Sequence, residues 1–138
     1  MAGCVFCEGG RPPADHRIAD LGATVAYLND DQFFAGWTVL VLKRHAVELF
    51  DLDAAERARV VEEVSRVASV LQAAFDARKL NYASFGNQIP HMHWHVIPRL
   101  ASDPAPLESP WNVPHAPVRL DHAALTTRIA GLRAGLGP

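Results

Sequence analysis

His91, His93 and His95 alternate with Met92, Trp94 and Val96 in a run bracketed by Pro90 and Pro98. An extended strand sends successive side chains to opposite faces, so three imidazoles share one side and three apolar groups the other. At a rise of about 3.3 Å per residue, same-face neighbours stand roughly 7 Å apart. A helix would turn His93 away from the other two, and the flanking prolines suit a short strand better than a helix interior. Imidazole has a reference pKa of about 6.5, so near neutral pH it serves as nucleophile, proton carrier or metal ligand. On a bound phosphate ester or anhydride, the middle ring can attack phosphorus. His95 can then donate to the phosphoryl oxygens or the leaving group, and His91 can hold a backbone or metal position that fixes the strand.

A second set lies at the start of the chain. Cys4 and Cys7 form a Cys-x-x-Cys, which supplies half of a tetrahedral metal site. A redox motif of this spacing opens a helix after a strand, whereas here Gly9, Gly10, Pro12 and Pro13 make a loop. The two missing ligands must come from histidine or carboxylate elsewhere.

The run His91 to Ile97, continued by Pro98-Arg99 and preceded by Asn81 to Pro90, resembles the signature of the histidine triad (HIT) superfamily of nucleotide hydrolases and transferases. The resemblance spans roughly residues 4–99. It implies that His93 takes up a nucleotidyl group from an alpha phosphate, with His95 and His91 beside it. Water or another acceptor then resolves the intermediate, and no catalytic cofactor is expected. It implies a structural zinc ion on Cys4, Cys7, His45 and His91, where Lys43-Arg44-His45 matches a short basic stretch ending in histidine. An acidic residue would hold the ribose hydroxyls; the matching position is Asn29, with Asp30 adjacent. A loop before the triad would contact phosphate, which points to Asn87 and Gln88, although this loop is shorter than is common. The implied ligand is a purine nucleotide or nucleotide conjugate, such as an adenosine 5′-phosphoramidate or a dinucleoside polyphosphate. The implied assembly is a homodimer with its two sheets joined. The uridylyltransferase branch carries glutamine at the third histidine, and His95 argues against it.

Two readings from other classes stand beside this one. The strand histidines with Asp30 or Asp31 would suit a metal-dependent hydrolase. The same fold would also serve a non-enzymatic nucleotide-binding protein.

The elements that must carry these residues follow from pattern. Short strands are expected at 16–20, 24–29, 37–42, 80–85 and 91–97, the third apolar throughout and so buried on both faces. Asp53 with Glu56 three residues on resembles a capping box for a helix from about 54 to 78, with Val60, Val64, Val67, Leu71 and Phe75 as its buried stripe and Glu62–Arg66 as a surface pair. Ile18 and Leu28 either pack in the core or wall a base pocket. Five prolines between Ser102 and Pro117 make an irregular arm with Trp111 as its anchor, packed on the domain or a dimer mate in preference to lining a substrate site. Asp121 caps a last helix reaching about residue 134 with Leu125, Ile129 and Leu132 on one side. The expected fold is therefore α+β: a HIT-like five-stranded antiparallel sheet with the long helix on one face. Residues 1–100 form its core, and the arm and short helix of 101–138 belong to the same domain.

Composition agrees with a soluble domain: 138 residues, 49% hydrophobic, 20% charged. A net charge of −2 gives no wide basic field for duplex nucleic acid. No apolar run approaches a membrane span, and no basic-then-apolar leader opens the chain, so a cytoplasmic protein is expected. Two cysteines argue against a disulfide scaffold.

Overall fold

The computed structural model describes residues 1–137. Its strands are β1 (Arg17–Asp20), β2 (Thr24–Leu28), β3 (Thr38–Leu42), β4 (Lys79–Ala83) and β5 (His93–Arg99). They form one antiparallel sheet in the order β1-β2-β3-β5-β4. Between β3 and β4 runs helix α1 (Ala54–Phe75), and helix α2 (His122–Leu136) closes the chain. The expected α+β architecture is the observed one.

Register divides the sheet into two faces. Leu40 pairs with Trp94 and Ala26, and these face α1 together with Leu28, Leu42, Val96 and Leu80. Val60, Val64, Val67, Ala68 and Leu71 of α1 pack onto them, and Leu125, Ile129, Leu132 and Leu136 of α2 complete the same core. Ile18 and Leu28 lie in it too, so both are core residues. On the opposite face, Val39 pairs with His95 and Val41 with His93. The central strand β3 is buried at every position, as its unbroken apolar run predicts.

Helix α1 begins as expected. Asp53 caps it by accepting the Glu56 backbone N–H at 2.8 Å, and the Glu56 side chain reaches back to the Asp53 N–H. It ends three residues early, because Asp76 turns left-handed at φ 51° and the Ala77 N–H bonds the Gln72 carbonyl. The expected Glu62–Arg66 pair is replaced by a different contact, in which Arg66 donates to the Leu136 carbonyl at the end of α2. A charged residue in the stripe was not anticipated. Glu63 is buried and accepts from the backbone N–H groups of Ala23 and Thr24 and from the Thr24 hydroxyl, at 2.7–2.9 Å. It thereby ties α1 to the start of β2, its charge met by three donors. Gly36, at φ +89°, lets the β2–β3 loop press on Phe75, since a Cβ there would stand 2.5 Å from that ring.

The arm after β5 is organised by Arg99, which is 3% exposed. Its guanidinium pairs with Asp103 at 2.5 Å, donates to Asn81 and to the carbonyls of Ala105 and Glu108, and lies 5.0 Å from the Phe34 ring centroid. The Arg99 hydrogen bonds hold the Asp103 carboxyl below its usual range against the opposing effect of burial. Phe34, Ile97 and Val113 form a small second core around this hub.

Arg99→Met should strand a buried carboxylate, with a loss of about 3–5 kcal/mol. Urea denaturation would read that loss, and limited proteolysis should cut first between residues 100 and 118. Wild-type stability in this variant would show that the hub does not hold the arm.

Candidate functional site

Strand β5 starts at His93, two residues later than the periodicity predicts. The His91 N–H instead closes a turn onto the Ile89 carbonyl, and the Met92 N–H bonds the Ala46 carbonyl. The three imidazoles therefore do not form one row. His93 and His95 share the face away from α1, with ring centroids 5.4 Å apart. His91, 2% exposed, turns its ring towards the N-terminal segment.

Each ring has one nitrogen committed. A carbonyl oxygen only accepts, so the nitrogen facing it carries the proton. His91 Nε2–H donates to the Leu42 carbonyl at 2.7 Å, which leaves Nδ1 with its lone pair. His93 Nδ1–H donates to the His91 carbonyl at 2.7 Å, which leaves Nε2 with its lone pair. His95 Nδ1 lies 3.0 Å from the indole Nε1 of Trp37. Burial, and then the neighbouring His93, push the His95 imidazole down to about 4, so it is neutral at pH 7. Burial also lowers His91; its bond to Leu42 opposes this, and His45 and His93 add to it.

The second cluster forms around His91. Its Nδ1 lies 3.3 Å from Cys4 Sγ, 3.5 Å from Cys7 Sγ and 3.2 Å from His45 Nδ1, and Cys7 Sγ is 3.4 Å from His45 Nδ1. The four ligand atoms lie within 4.8 Å of one another. A tetrahedral centre with bonds of about 2.3 Å to sulfur and 2.0–2.1 Å to nitrogen spaces its ligand atoms roughly 3.3–3.8 Å apart. The set fits a metal ion, and the Leu42 carbonyl is the outer partner that orients His91 for it. Burial opposes ionisation of the Cys4 thiol, but hydrogen bonds from the backbone and side chain of Cys7 outweigh it and hold the thiol below its usual value.

Phe6, Ser84 and Trp37, which pattern reading passed over, close around the pair together with Trp111. Phe6, inside the Cys-x-x-Cys, packs edge-on against His91 and His93 at 5.4 and 5.1 Å. The Ser84 hydroxyl donates to the His93 carbonyl at 2.8 Å. Trp111, 46% exposed, packs against Trp37, His95 and Phe85 with centroids 6.0, 5.2 and 4.9 Å away. Alternation offered a signal for Trp37 alone, because a residue two before Val39 falls on the histidine face.

Among the described residues, none of the substrate-binding candidates hydrogen-bonds an imidazole of the triad. Asn29 follows β2 opposite Trp37, and its amide donates to the Asp31 carbonyl within its own turn. Asp30 is exposed, with a carboxylate oxygen 3.5 Å from His16 Nε2. Asp31 takes a different part, accepting from His115 Nε2 at 2.7 Å and from the Val118 N–H, which fastens the arm. Asn87 and Gln88 are exposed in a bend after Gly86.

Comparison with known proteins agrees with this geometry. The family model described as HIT domain matches residues 13–101. This chain belongs to the HIT family. A histidine triad protein from Bradyrhizobium japonicum superposes with a TM-score of 0.77 at 33% identity, over 87% of this chain and 89% of that one. A zinc-bound histidine triad family protein from Mycobacterium smegmatis gives 0.71 at 27% identity, over 97% and 93%. A curated relative, an uncharacterized HIT-like protein from Borreliella burgdorferi, is 22% identical over 75% of this HIT chain and 80% of its own length. Among the described residues, no helix is long and apolar enough to cross a membrane.

In this HIT protein the His95 ring should titrate near pH 4 and stay neutral through pH 5–8. Histidine ring NMR, assigned through His95→Gln, reads this directly. A midpoint near 6.5 would show that the ring is solvated rather than buried.

Proposed function

We propose that this HIT protein is a nucleotide hydrolase or nucleotidyl transferase that acts through a covalent nucleotidyl-histidine. The observation that carries the proposal is the hydrogen bond from His93 Nδ1 to the His91 carbonyl, which leaves the Nε2 lone pair free. In the proposed step Nε2 attacks the alpha phosphorus of a nucleoside phosphoramidate or dinucleoside polyphosphate. A phosphorus–nitrogen bond to His93 forms, the bridging bond to the leaving group breaks, and the leaving group takes its proton from solvent. Water then attacks the same phosphorus, the bond to His93 breaks, and nucleoside monophosphate and a proton are released. The attack needs no metal at phosphorus.

His95 has a distinct role in this scheme. A ring that protonates only near pH 4 holds no transferable proton at pH 7. It acts as a neutral hydrogen-bond donor to the phosphoryl oxygens, where charge accumulates. His91 supports the site from behind, through its carbonyl and as a metal ligand.

We assign the Cys4–Cys7–His45–His91 set to a structural zinc ion, supported by two sulfur and two nitrogen donors at tetrahedral spacing. Zinc there would pin the N-terminal segment to the turn before β5. Asn29, Asp30, Asn87 and Gln88 remain the proposed contacts to a purine nucleotide. A homodimer is proposed through β4, one of the two edge strands of the sheet, beside which Tyr82, Phe85 and Leu107 are exposed.

The test is nucleoside monophosphate release from a panel of phosphoramidates and dinucleoside polyphosphates. His93→Ala should abolish release, by at least about a thousandfold, and His93→Gly with added imidazole should restore part of it. Release that persists in folded His93→Ala would remove the nucleophile. Binding without release would leave a nucleotide-binding protein. Native mass spectrometry should find one zinc ion per chain in a species of twice the chain mass, and Cys4→Ser with Cys7→Ser should lose the ion. A metal-free monomer would overturn both assignments.

A further inference from the structure

Trp37 stands where the β2–β3 loop enters the sheet, and its backbone is pinned there. Its carbonyl accepts from the Asn29 N–H at 2.8 Å and from Gln32 Nε2 at 3.0 Å, and its own N–H donates to the Phe34 carbonyl at 3.0 Å. Gln32 is itself buried and also accepts from the Gly36 N–H and from Arg128, both at 3.0 Å. The indole lies between the rings of Phe34 and Trp111, with centroids 6.1 and 6.0 Å away. The result is an indole N–H delivered 3.0 Å from His95 Nδ1.

The chemistry of that contact has one solution. Indole nitrogen carries a hydrogen and offers no lone pair, so it can only donate. His95 Nδ1 must therefore accept. A neutral imidazole has a single N–H, which then sits on Nε2. The contact does more than select a tautomer. It also fixes the plane of the ring beside His93.

We propose that Trp37 is a positioning residue for phosphoryl transfer: its indole N–H engages His95 Nδ1 and leaves Nε2–H as the ring's one free donor, held beside the His93 nucleophile. The role rests on the nucleotidyl-histidine reading above. The groups that face His95 are His93 on its own strand, Trp37 from the loop and Trp111 from the arm, and none of these supplies a negative charge. Hydrogen bonding must therefore orient the ring without the help of an ion pair. A preorganised donor of this kind costs no reorganisation when charge develops at the phosphoryl oxygens.

Two replacements separate the N–H from the bulk of the side chain. Trp37→Phe removes the donor and part of the ring. Site-specific benzothienylalanine at position 37 keeps the shape and replaces the N–H by sulfur. Both proteins are examined by nitrogen-15 NMR of the His95 ring, and by kcat and KM for a nucleoside phosphoramidate. The wild-type ring should show an unprotonated Nδ1 and a protonated Nε2 from pH 5 to 8. In both variants the neutral ring should populate the Nδ1–H tautomer within that range. The kcat should fall on the order of tenfold to a hundredfold, with KM within about twofold. An unchanged ring spectrum in the benzothienyl protein would overturn the proposal, and so would a changed spectrum with unchanged kcat. A wild-type protein with the ring state intact and no release at all would instead overturn the nucleotidyl-histidine reading, and the role of Trp37 with it.

Discussion

The site depends on one hydrogen bond, the 2.7 Å contact from the His93 ring to the carbonyl of His91. An imidazole on a half-buried sheet must have its nitrogens matched, since an unpaired one costs the desolvation of a polar group. Satisfying Nδ1 with a carbonyl two residues back does this locally. It also makes the backbone at His91 part of the site. That carbonyl can be where it is only if the chain turns at residues 89–91 instead of continuing as strand. The turn in turn sends the His91 side chain out of the row and into the thiol cluster. A single geometric requirement thus connects the reactive ring, the late start of β5 and the placement of the metal ligands.

The scaffold holds this arrangement from both sides. Beneath the sheet, α1 and α2 pack on a continuous apolar layer, and Glu63 locks α1 to β2 with three hydrogen bonds. Above it the covering is thin and specific. Arg99 gathers residues 103–108, Asp31 holds His115, and Trp111 is thereby brought back onto His95. The apolar face supplies rigidity, and the histidine face is covered by a few polar clasps.

The elements were legible wherever one period dominated. The capping box at Asp53, the apolar stripe of α1 and the unbroken run of β3 all appear where the residues place them. The same holds for the alternation of His93 and His95. What escaped was set by long-range contacts. Glu63 reads as one more exposed charge until β2 arrives with three donors. Glu62 and Arg66 have ideal spacing for a pair, yet the end of α2 offers Arg66 a carbonyl instead. His91 alternates perfectly with its neighbours, but an irregular turn overrides the period. Trp37 looked like the first residue of a strand, and only the pairing of β3 with β5 sets its indole against His95. Sequence spacing reports neighbours along the chain, whereas these contacts bridge separations of 39 to 87 residues.

The thiol cluster has one more consequence, for the chain before it folds. Cys4 and His91 are 87 residues apart in sequence. A metal held by both would close a loop containing four of the five strands and the whole of α1. Closure of a loop this long removes configurational freedom from the unfolded ensemble, on the order of 4–5 kcal/mol by the chain-entropy estimate for cross-links. Unlike a covalent bridge, this one would form and release with the supply of metal. The N-terminal dozen residues would then be a buckle around the domain, and its fastening would set how many shapes the rest of the chain can explore on the way to its fold.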